Sequence, residues 1–246
     1  GIDGVHFRKH PDWPVFELED DAHSILTPAL LRRDTGQVVR EIDCLRLWYS
    51  STDFPGKTGR HTLHDTNSGD GFTWAAPSQA QLENAYAPSV LKVGDQYRLW
   101  YSDVSQEPWC VRHAVSDDGR NWSVSPEPVL VLDQAWEHGR LFYPYVLQPA
   151  PNLFVMWYGS YQSADPNKTA LGIAVSENGL QWEKSDHNPI FGPDPGRDWE
   201  SHYTTSQSIV QLPDGSWRMW YASRPAPPFQ HKYFAIGTAS WTGPGT

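Results

Sequence analysis

The sequence predicts an all-β fold, a β-propeller built from four-stranded blades, as a single domain over residues 1–246. Three observations support this prediction: short segments that recur four times, a spacing of about sixty residues between recurrences, and dense Pro, Gly and Trp. The chain contains 21 Pro, 19 Gly and 13 Trp, which leaves little room for long helices.

The first recurring segment is an apolar strand that carries Trp-Tyr near its end, at 45–50, 97–102, 154–159 and 217–222. The second is an Asp-Gly or Asn-Gly turn that an aromatic residue follows, at 3–7, 70–74, 118–122 and 178–182. These dipeptides are strong hairpin signals because glycine readily adopts positive φ. We interpret the Trp-Tyr rings as filling between blades, and the turn acids as turn formers without a catalytic role.

Another short apolar strand precedes each Trp-Tyr segment and begins at Pro28, Pro88, Pro144 or Gln207. The last unit supplies three strands, and residues 3–7 supply a fourth strand with nothing before it. Pairing the N-terminal strand with the last blade would close the ring and cover two sheet edges. The count predicts four blades, with a five-bladed ring as the alternative.

The charge balance argues against several kinds of partner. The formal net charge is −10, so phosphate backbones and anionic lipid surfaces would repel the chain. No apolar run approaches the roughly 18 residues that a membrane helix needs. The N-terminus does not resemble a signal peptide, which favours a soluble, cytoplasmic protein. We therefore expect neither a nucleic-acid nor a membrane partner.

The combined pattern resembles a known superfamily. Trp-Glu at 136–137 and 199–200, Trp-Tyr-Ser at 100–102, and Ser-x-Asp-Gly-x-x-Trp at 116–122 are similar to motifs of the five-bladed β-propeller glycosidases. This superfamily includes arabinanases, arabinofuranosidases, β-xylosidases and invertases. The resemblance implies a sugar-cleaving site in the central cavity, formed by an Asp on each of the first two blades and a Glu on the third. No segment here reproduces the local signatures of that triad unambiguously.

Aligning the four units on their inner strands gives candidate carboxylates. Seven positions upstream lie Asp21, Gln81, Glu137 and Glu200, and five positions upstream lie His23, Glu83, Gly139 and His202. Glycoside hydrolysis needs a protonated acid and an ionised carboxylate. We predict that two of Asp21, Glu83, Glu137 and Glu200 supply them, although the repeated Trp-Glu pair is also consistent with a loop anchor.

The position five residues upstream suggests a second kind of site. If His23, Glu83 and His202 point toward the axis, they form a two-His, one-carboxylate set of the type that binds divalent metals. The same three residues could instead orient water or substrate without a metal, or lie in partly exposed loops. The glycosidase hypothesis requires no cofactor, and within it His23 and His202 could either bind a divalent metal or orient substrate.

Side chains near the channel mouth are candidates for sugar binding. Tyr86, Tyr143 and Tyr203 could stack on sugar rings, as could Phe142. Candidates for polar contacts are Arg140, Arg224 and His231, with Asp103 as a further acidic candidate because the other units have Ser there. Core packing is the competing interpretation for each of them.

The function predicted from these observations is a carbohydrate-active enzyme, a glycoside hydrolase whose partner is a small carbohydrate or glycan. A non-catalytic glycan-binding propeller is the first alternative. The second is a metal-dependent lyase, isomerase or hydrolase with a His-Glu-His centre, and the third is a scaffold for protein interactions.

Overall fold

The protein was analysed as a computed structural model, which describes residues 4–7, 14–18, 23–52, 60–162, 168–226 and 234–242. The described residues form four antiparallel sheets, arranged as the blades of a β-propeller. Their helical content is a three-residue 3-10 helix, Asp198–Glu200, and no described helix has the length and apolar character to cross a membrane. The prediction of an all-β propeller with four blades is confirmed.

The strands follow the repeat units in chain order. Blade 1 contains β1 (Leu26–Leu30), β2 (Arg40–Glu41), β3 (Cys44–Thr52), β4 (His61–Ser68) and β5 (Leu82–Glu83). Blade 2 contains β6 (Ala85–Val93), β7 (Gln96–Asp103), β8 (Cys110–Ser116) and β9 (Ser123–Val124). Blade 3 contains β10 (His138–Ala150), β11 (Leu153–Tyr161), β12 (Thr169–Ser176) and β13 (Glu183–Lys184). Blade 4 contains β14 (Tyr203–Gln211), β15 (Trp217–Arg224) and β16 (Ala235–Trp241).

Three of the four recurring tryptophans join the second strand of a blade to a glycine turn outside that blade. In each case the indole Nε1–H donates a hydrogen bond to the carbonyl of the turn glycine. The pairs are Trp48 with Gly119, Trp100 with Gly179, and Trp220 with Gly4, at 2.9, 2.9 and 2.6 Å. A turn that presents its carbonyl to an indole needs a glycine at positive φ, and all three glycines have φ between 69° and 77°. The Trp rings therefore act between blades, as the repeat predicted.

The turn acids form the turns themselves. Asp118 accepts hydrogen bonds from the backbone N–H groups of Arg120 and Asn121, both at 2.8 Å, and these bonds hold the pKa of its carboxyl well below the usual range. Asp70 accepts equivalent bonds from Phe72 and Thr73. Both carboxylates are therefore used locally, as turn formers.

The N-terminal residues reach the last blade through a side chain. Residues 4–7 form a bend whose Gly4 carbonyl accepts the Trp220 indole bond. Within the described part of the chain, β16 pairs with β15 and with no other strand. Gly4 thus contacts blade 4 through Trp220, whereas the repeat pattern suggested pairing of an N-terminal strand with that blade.

His113 makes the stability of the blade core depend on pH. Its ring is buried on β8 beside Trp100, and burial, with a smaller contribution from Arg98, lowers its pKa to about 4. An unfolded histidine has a pKa near 6.5, so the unfolded state binds a proton between pH 6.5 and 4 that the folded state excludes. Stability should therefore be full above pH 6.5 and decrease by up to about 3 kcal/mol as the pH falls toward 4.

Urea unfolding at pH 7 and pH 4.5 measures this effect. The wild type should lose more stability between pH 7 and pH 4.5 than His113→Asn does. The difference between the two losses is the contribution of His113. An acid-dependent loss of the same size in both proteins would contradict the assignment. His61, whose pKa burial also lowers, is present in both proteins and therefore cancels in the comparison.

Candidate functional site

A backbone irregularity recurs in the inner strand of every blade. The residue before each inner-strand Pro, or before Gln207, adopts positive φ: Thr27, Ala87, Tyr143 and Ser206, at 50°, 52°, 52° and 56°. The strand register shifts at the same place in all four sheets. Such bulges redirect side chains and are frequent beside functional sites. The four bulges turn the inner strands around a common centre.

The inner strands enclose a central cavity of about 730 Å³, lined by residues of all four blades. Its lining includes the bulge residues Thr27, Ala87, Tyr143 and Ser206, together with Tyr86. A cavity of this size is typical of sites for small ligands.

Aromatic residues cluster around Tyr86 and Tyr143, two residues that line this cavity. We call this cluster the aromatic mouth, and it consists of Tyr86, Trp109, Tyr143, Tyr161 and Tyr203. The hydroxyls of Tyr86 and Tyr143 lie 2.6 Å apart, and the ring of Trp109 meets that of Tyr86 edge-on at 5.8 Å. Burial raises the pKa of Tyr86 and of Tyr203, and neighbouring tyrosines raise both further. The hydroxyls therefore stay protonated and can donate hydrogen bonds.

Cationic side chains flank the aromatic mouth. The guanidinium of Arg224 lies 4.6 Å from the ring centroid of Tyr203, and that of Arg140 lies 4.1 Å from the ring centroid of Trp109. Arg140 also forms an ion pair with Glu107. Stacking on aromatic rings orients both guanidinium groups, and Arg140 directs its Nε and Nη2 donors at Glu107.

Two of the predicted catalytic glutamates lie away from this mouth. Glu137 is buried against the outermost strand of blade 3, where it accepts hydrogen bonds from Tyr158 Oη and Lys184 Nζ, each at 2.7 Å. Glu200 is buried and accepts bonds from Tyr221 Oη and from Arg197 Nη1, the latter at 2.9 Å. These contacts match the loop-anchor interpretation of the Trp-Glu pair. Catalysis by these two residues stays a prediction without support from the geometry.

The other predicted acids have different surroundings. Glu83 is exposed at the end of β5, 3.6 Å from the guanidinium of Arg60, and lies opposite Thr62 in the sheet. Asp103 is buried and held by Arg112, whose Nε donates to it at 2.7 Å, and by the backbone N–H of Ser105. Glu83 is thus accessible, whereas Asp103 is tied within blade 2.

The three residues of the predicted metal set do not form a cluster. His23 is exposed, and the buried Nε2 of His202 has no hydrogen-bond partner among the described residues. No three His, Cys, Asp or Glu side chains in the described ranges are placed so that they could hold a metal ion. Metal binding by His23, Glu83 and His202 therefore remains a prediction that this geometry does not support.

Of the predicted sugar-binding residues, the structure brings together Tyr86, Tyr143 and Tyr203, with Arg224 beside Tyr203 and Arg140 beside Trp109. Asp21 and His231 lie outside the described residues. The sequence analysis missed two residues of the mouth, Trp109 and Tyr161, and two residues beside it, Glu107 and His61.

A sequence signal existed for one of the missed residues. Tyr161 stands four positions after the Trp of its repeat, as Arg224 does in the last unit. His61 had no such signal. Its ring lies 4.6 Å from that of Tyr86, and burial lowers its pKa.

Comparison with known sequences finds partial matches. No family model matches the chain. It is 30% identical over 122 residues to the A type blood N-acetyl-α-D-galactosamine deacetylase of Flavonifractor plautii, covering 44% of this chain and 15% of that protein. It is 29% identical over 152 residues to the uncharacterized protein Rv1502 of Mycobacterium tuberculosis, covering 56% and 47%. The chain thus spans about half or less of the length of these relatives.

Comparison with solved structures extends over nearly the whole chain. BT0996, in its complex with RGII, superimposes with a TM-score of 0.71 at 19% identity, over 93% of this protein and 73% of BT0996. The N-acetylgalactosamine deacetylase from F. plautii, in complex with blood group B trisaccharide, gives 0.69 at 18%, over 91% and 70%. Zg3597 of Zobellia galactanivorans, a family 117 glycoside hydrolase, gives 0.64 at 12%, over 91% and 69%. The chain therefore has the β-propeller fold found in glycoside hydrolases.

Proposed function

We propose that this protein is a carbohydrate-active propeller that binds a glycan at the aromatic mouth and hydrolyses a glycosidic bond there. The observation that carries the proposal is the cluster of Tyr86, Tyr143 and Tyr203 beside Arg224, next to a cavity formed by all four blades. Aromatic faces pack on the C–H faces of sugars, while tyrosine hydroxyls and guanidinium groups bind sugar hydroxyls. The glycan complexes of two structurally similar proteins are consistent with this use of the fold.

The acid–base pair is assigned to carboxylates near the mouth. Glu83 is exposed at the end of β5, opposite Thr62 and so beside His61, whose ring contacts Tyr86. Glu107 pairs with Arg140, which stacks on Trp109 of the mouth. The pairing with Arg140 places the carboxylate of Glu107 beside Trp109 of the mouth, so Glu107 is assigned the role of base or nucleophile. Glu83 is the other exposed carboxyl beside the mouth, and it is assigned the role of acid.

Tyr143→Phe tests glycan binding at the mouth. The substitution keeps the ring but removes the hydroxyl that is proposed to bond a sugar, and loss of one protein–glycan hydrogen bond should weaken binding about fivefold. The measurement is affinity for those members of a p-nitrophenyl glycoside panel that the wild type binds. Tyr97→Phe is the matched control, because Tyr97 is buried near the start of β7 with its hydroxyl on Glu41. Equal affinities for wild type and Tyr143→Phe would contradict the proposed site.

Turnover of the same glycosides tests the catalytic assignment. Glu83→Gln should lower kcat by about a hundredfold and leave affinity nearly unchanged, because the glutamine retains the shape but cannot transfer a proton. Glu127→Gln, an exposed glutamate on the segment after β9, is the control. Unchanged kcat in Glu83→Gln would remove Glu83 from the mechanism.

A non-catalytic glycan-binding propeller is the second candidate function. It is favoured by the bulge positions that line the cavity, where Thr27, Ala87, Tyr143 and Ser206 stand and none is a carboxylate. The structural contacts of Glu137 and Glu200 point the same way. Glycan binding without turnover, unchanged in Glu83→Gln and Glu107→Gln, would establish this alternative.

A further inference from the structure

A buried arginine lines the central cavity without an acidic partner. Arg32 follows β1, lines the cavity, and is only 7% exposed. Its Nη2 donates to Ser89 Oγ at 3.0 Å, and its guanidinium carbon lies 3.9 Å from the ring centroid of Tyr145. Its Nε is buried without a hydrogen-bond partner, and no carboxylate forms an ion pair with it, among the described residues.

The contacts of Arg32 compensate for only part of the free-energy cost of burying its charge. A buried cation without a counterion is costly, and a hydroxyl and an aromatic face compensate for it incompletely. Ser89 Oγ also accepts a hydrogen bond from the backbone N–H of Val146, so its capacity to accept is already used. The remaining guanidinium donors of Arg32 therefore favour an anion in the cavity.

A second polar group in the cavity lining, the amide of Gln207, offers a hydrogen-bond acceptor where Arg32 offers donors. Gln207 donates through Nε2 to the carbonyls of Tyr143 and Trp157, at 2.7 and 3.2 Å, which fixes the orientation of its amide. Its buried Oε1 has no hydrogen-bond partner among the described residues. An amide oxygen accepts hydrogen bonds only, so it needs a ligand that donates one, such as a sugar hydroxyl.

We infer that the central cavity binds the carboxylate of an acidic sugar, a uronic acid, with Arg32 on the carboxylate and Gln207 Oε1 on a hydroxyl. The inference rests on the proposed glycan function and names its substrate class. A guanidinium pairs with a planar carboxylate through two parallel N–H bonds, which neutral sugars cannot offer. The cavity volume of about 730 Å³ accommodates a sugar unit.

Calorimetric titration with D-glucuronate, its methyl ester and D-glucose tests the inference. The wild type should bind glucuronate at least about tenfold more tightly than either neutral sugar, because only the acid offers a charge-assisted pair. Arg32→Gln should lose this preference, whereas Arg33→Gln, which removes the adjacent exposed charge, should keep it. Equal affinities of the wild type for the acid and its methyl ester would overturn the inference, whether or not Arg32→Gln folds.

Acetate and inorganic sulfate separate this inference from the proposed function. If no sugar binds but acetate raises the Tm of wild type and Arg33→Gln and not of Arg32→Gln, the carboxylate site stands and the glycan function fails. A shift with sulfate and none with acetate or glucuronate would overturn the assignment to a carboxylate. Tight binding of neutral sugars with no preference for glucuronate would leave the glycan function standing and overturn the inference.

Discussion

Trp100→Ala should lower the free energy of unfolding by about 3–5 kcal/mol, as expected when a large aromatic side chain is removed from a packed core. Trp100 is fully buried and packs against His113, Phe154 and Trp182. Its indole N–H also bonds Gly179 O of the next blade at 2.9 Å, so the variant loses a contact between blades together with its packing. Urea unfolding at pH 7 measures the loss.

Two variants divide this effect into its parts. Trp100→Phe keeps most of the apolar volume and loses the indole donor, so its cost should fall between that of alanine and zero. Trp241→Ala is the control, because Trp241 is 47% exposed at the edge strand β16 and should cost less than about 1 kcal/mol. A cost for Trp100→Ala no larger than that for Trp241→Ala would refute the role of the repeated Trp between blades.

Lys184→Met should destabilise the protein by about 3–5 kcal/mol, because it leaves the buried carboxylate of Glu137 without its cation. The side chains of Lys184 and Glu137 are 5% and 0% exposed, and their charged atoms lie 2.7 Å apart. The ammonium also bonds Val131 O and Asp133, so one substitution removes several partners at once. Urea unfolding of wild type and variant checks the size of the loss.

The double variant Glu137→Gln/Lys184→Met shows whether the loss comes from the unpaired charge. The Oε1 of the glutamine can accept the loop backbone bonds that Glu137 accepts, and its amide nitrogen can donate to Tyr158 Oη, so removing both charges should recover much of the stability lost in Lys184→Met. A double variant no more stable than Lys184→Met would contradict this account. Recovery of stability with normal glycoside turnover would also exclude Glu137 as a catalytic carboxylate.

The blades could be predicted because their signals are local and repeated. The turn at 118–122 shows the principle: Asp118 bonds the backbone two and three residues ahead, so the turn depends on its own few residues. The same holds for the strand spacing, which repeats four times along the chain. Because the same turn and strand signals occur in four units, each unit independently predicts the same fold.

The candidate site was only partly predictable because it forms between units. Tyr86 and Tyr143 are 57 residues apart in sequence, and their hydroxyls meet at 2.6 Å only because neighbouring blades place them there. The sequence analysis named both residues as candidates near the channel mouth, and their role in sugar binding stays a prediction. The alignment also selected Glu137 as a candidate acid. In the structure Glu137 pairs with Lys184 of the outermost strand β13, because equivalent positions in a repeat do not share the same partners. The buried, unpaired donor of Arg32 is visible only in the folded chain.

The sequence by itself determined the order of strands and turns, since the Trp-Tyr strands and glycine turns encode local geometry that each unit repeats. The tertiary structure alone decided which polar side chains line the central cavity and which pair with residues of the outer strands. The physical reason is that hydrogen bonding and burial depend on distances between residues that lie far apart in the sequence. In the folded protein Glu137 pairs with a lysine and Glu107 with an arginine, whereas Arg32 has no acidic partner within the described chain.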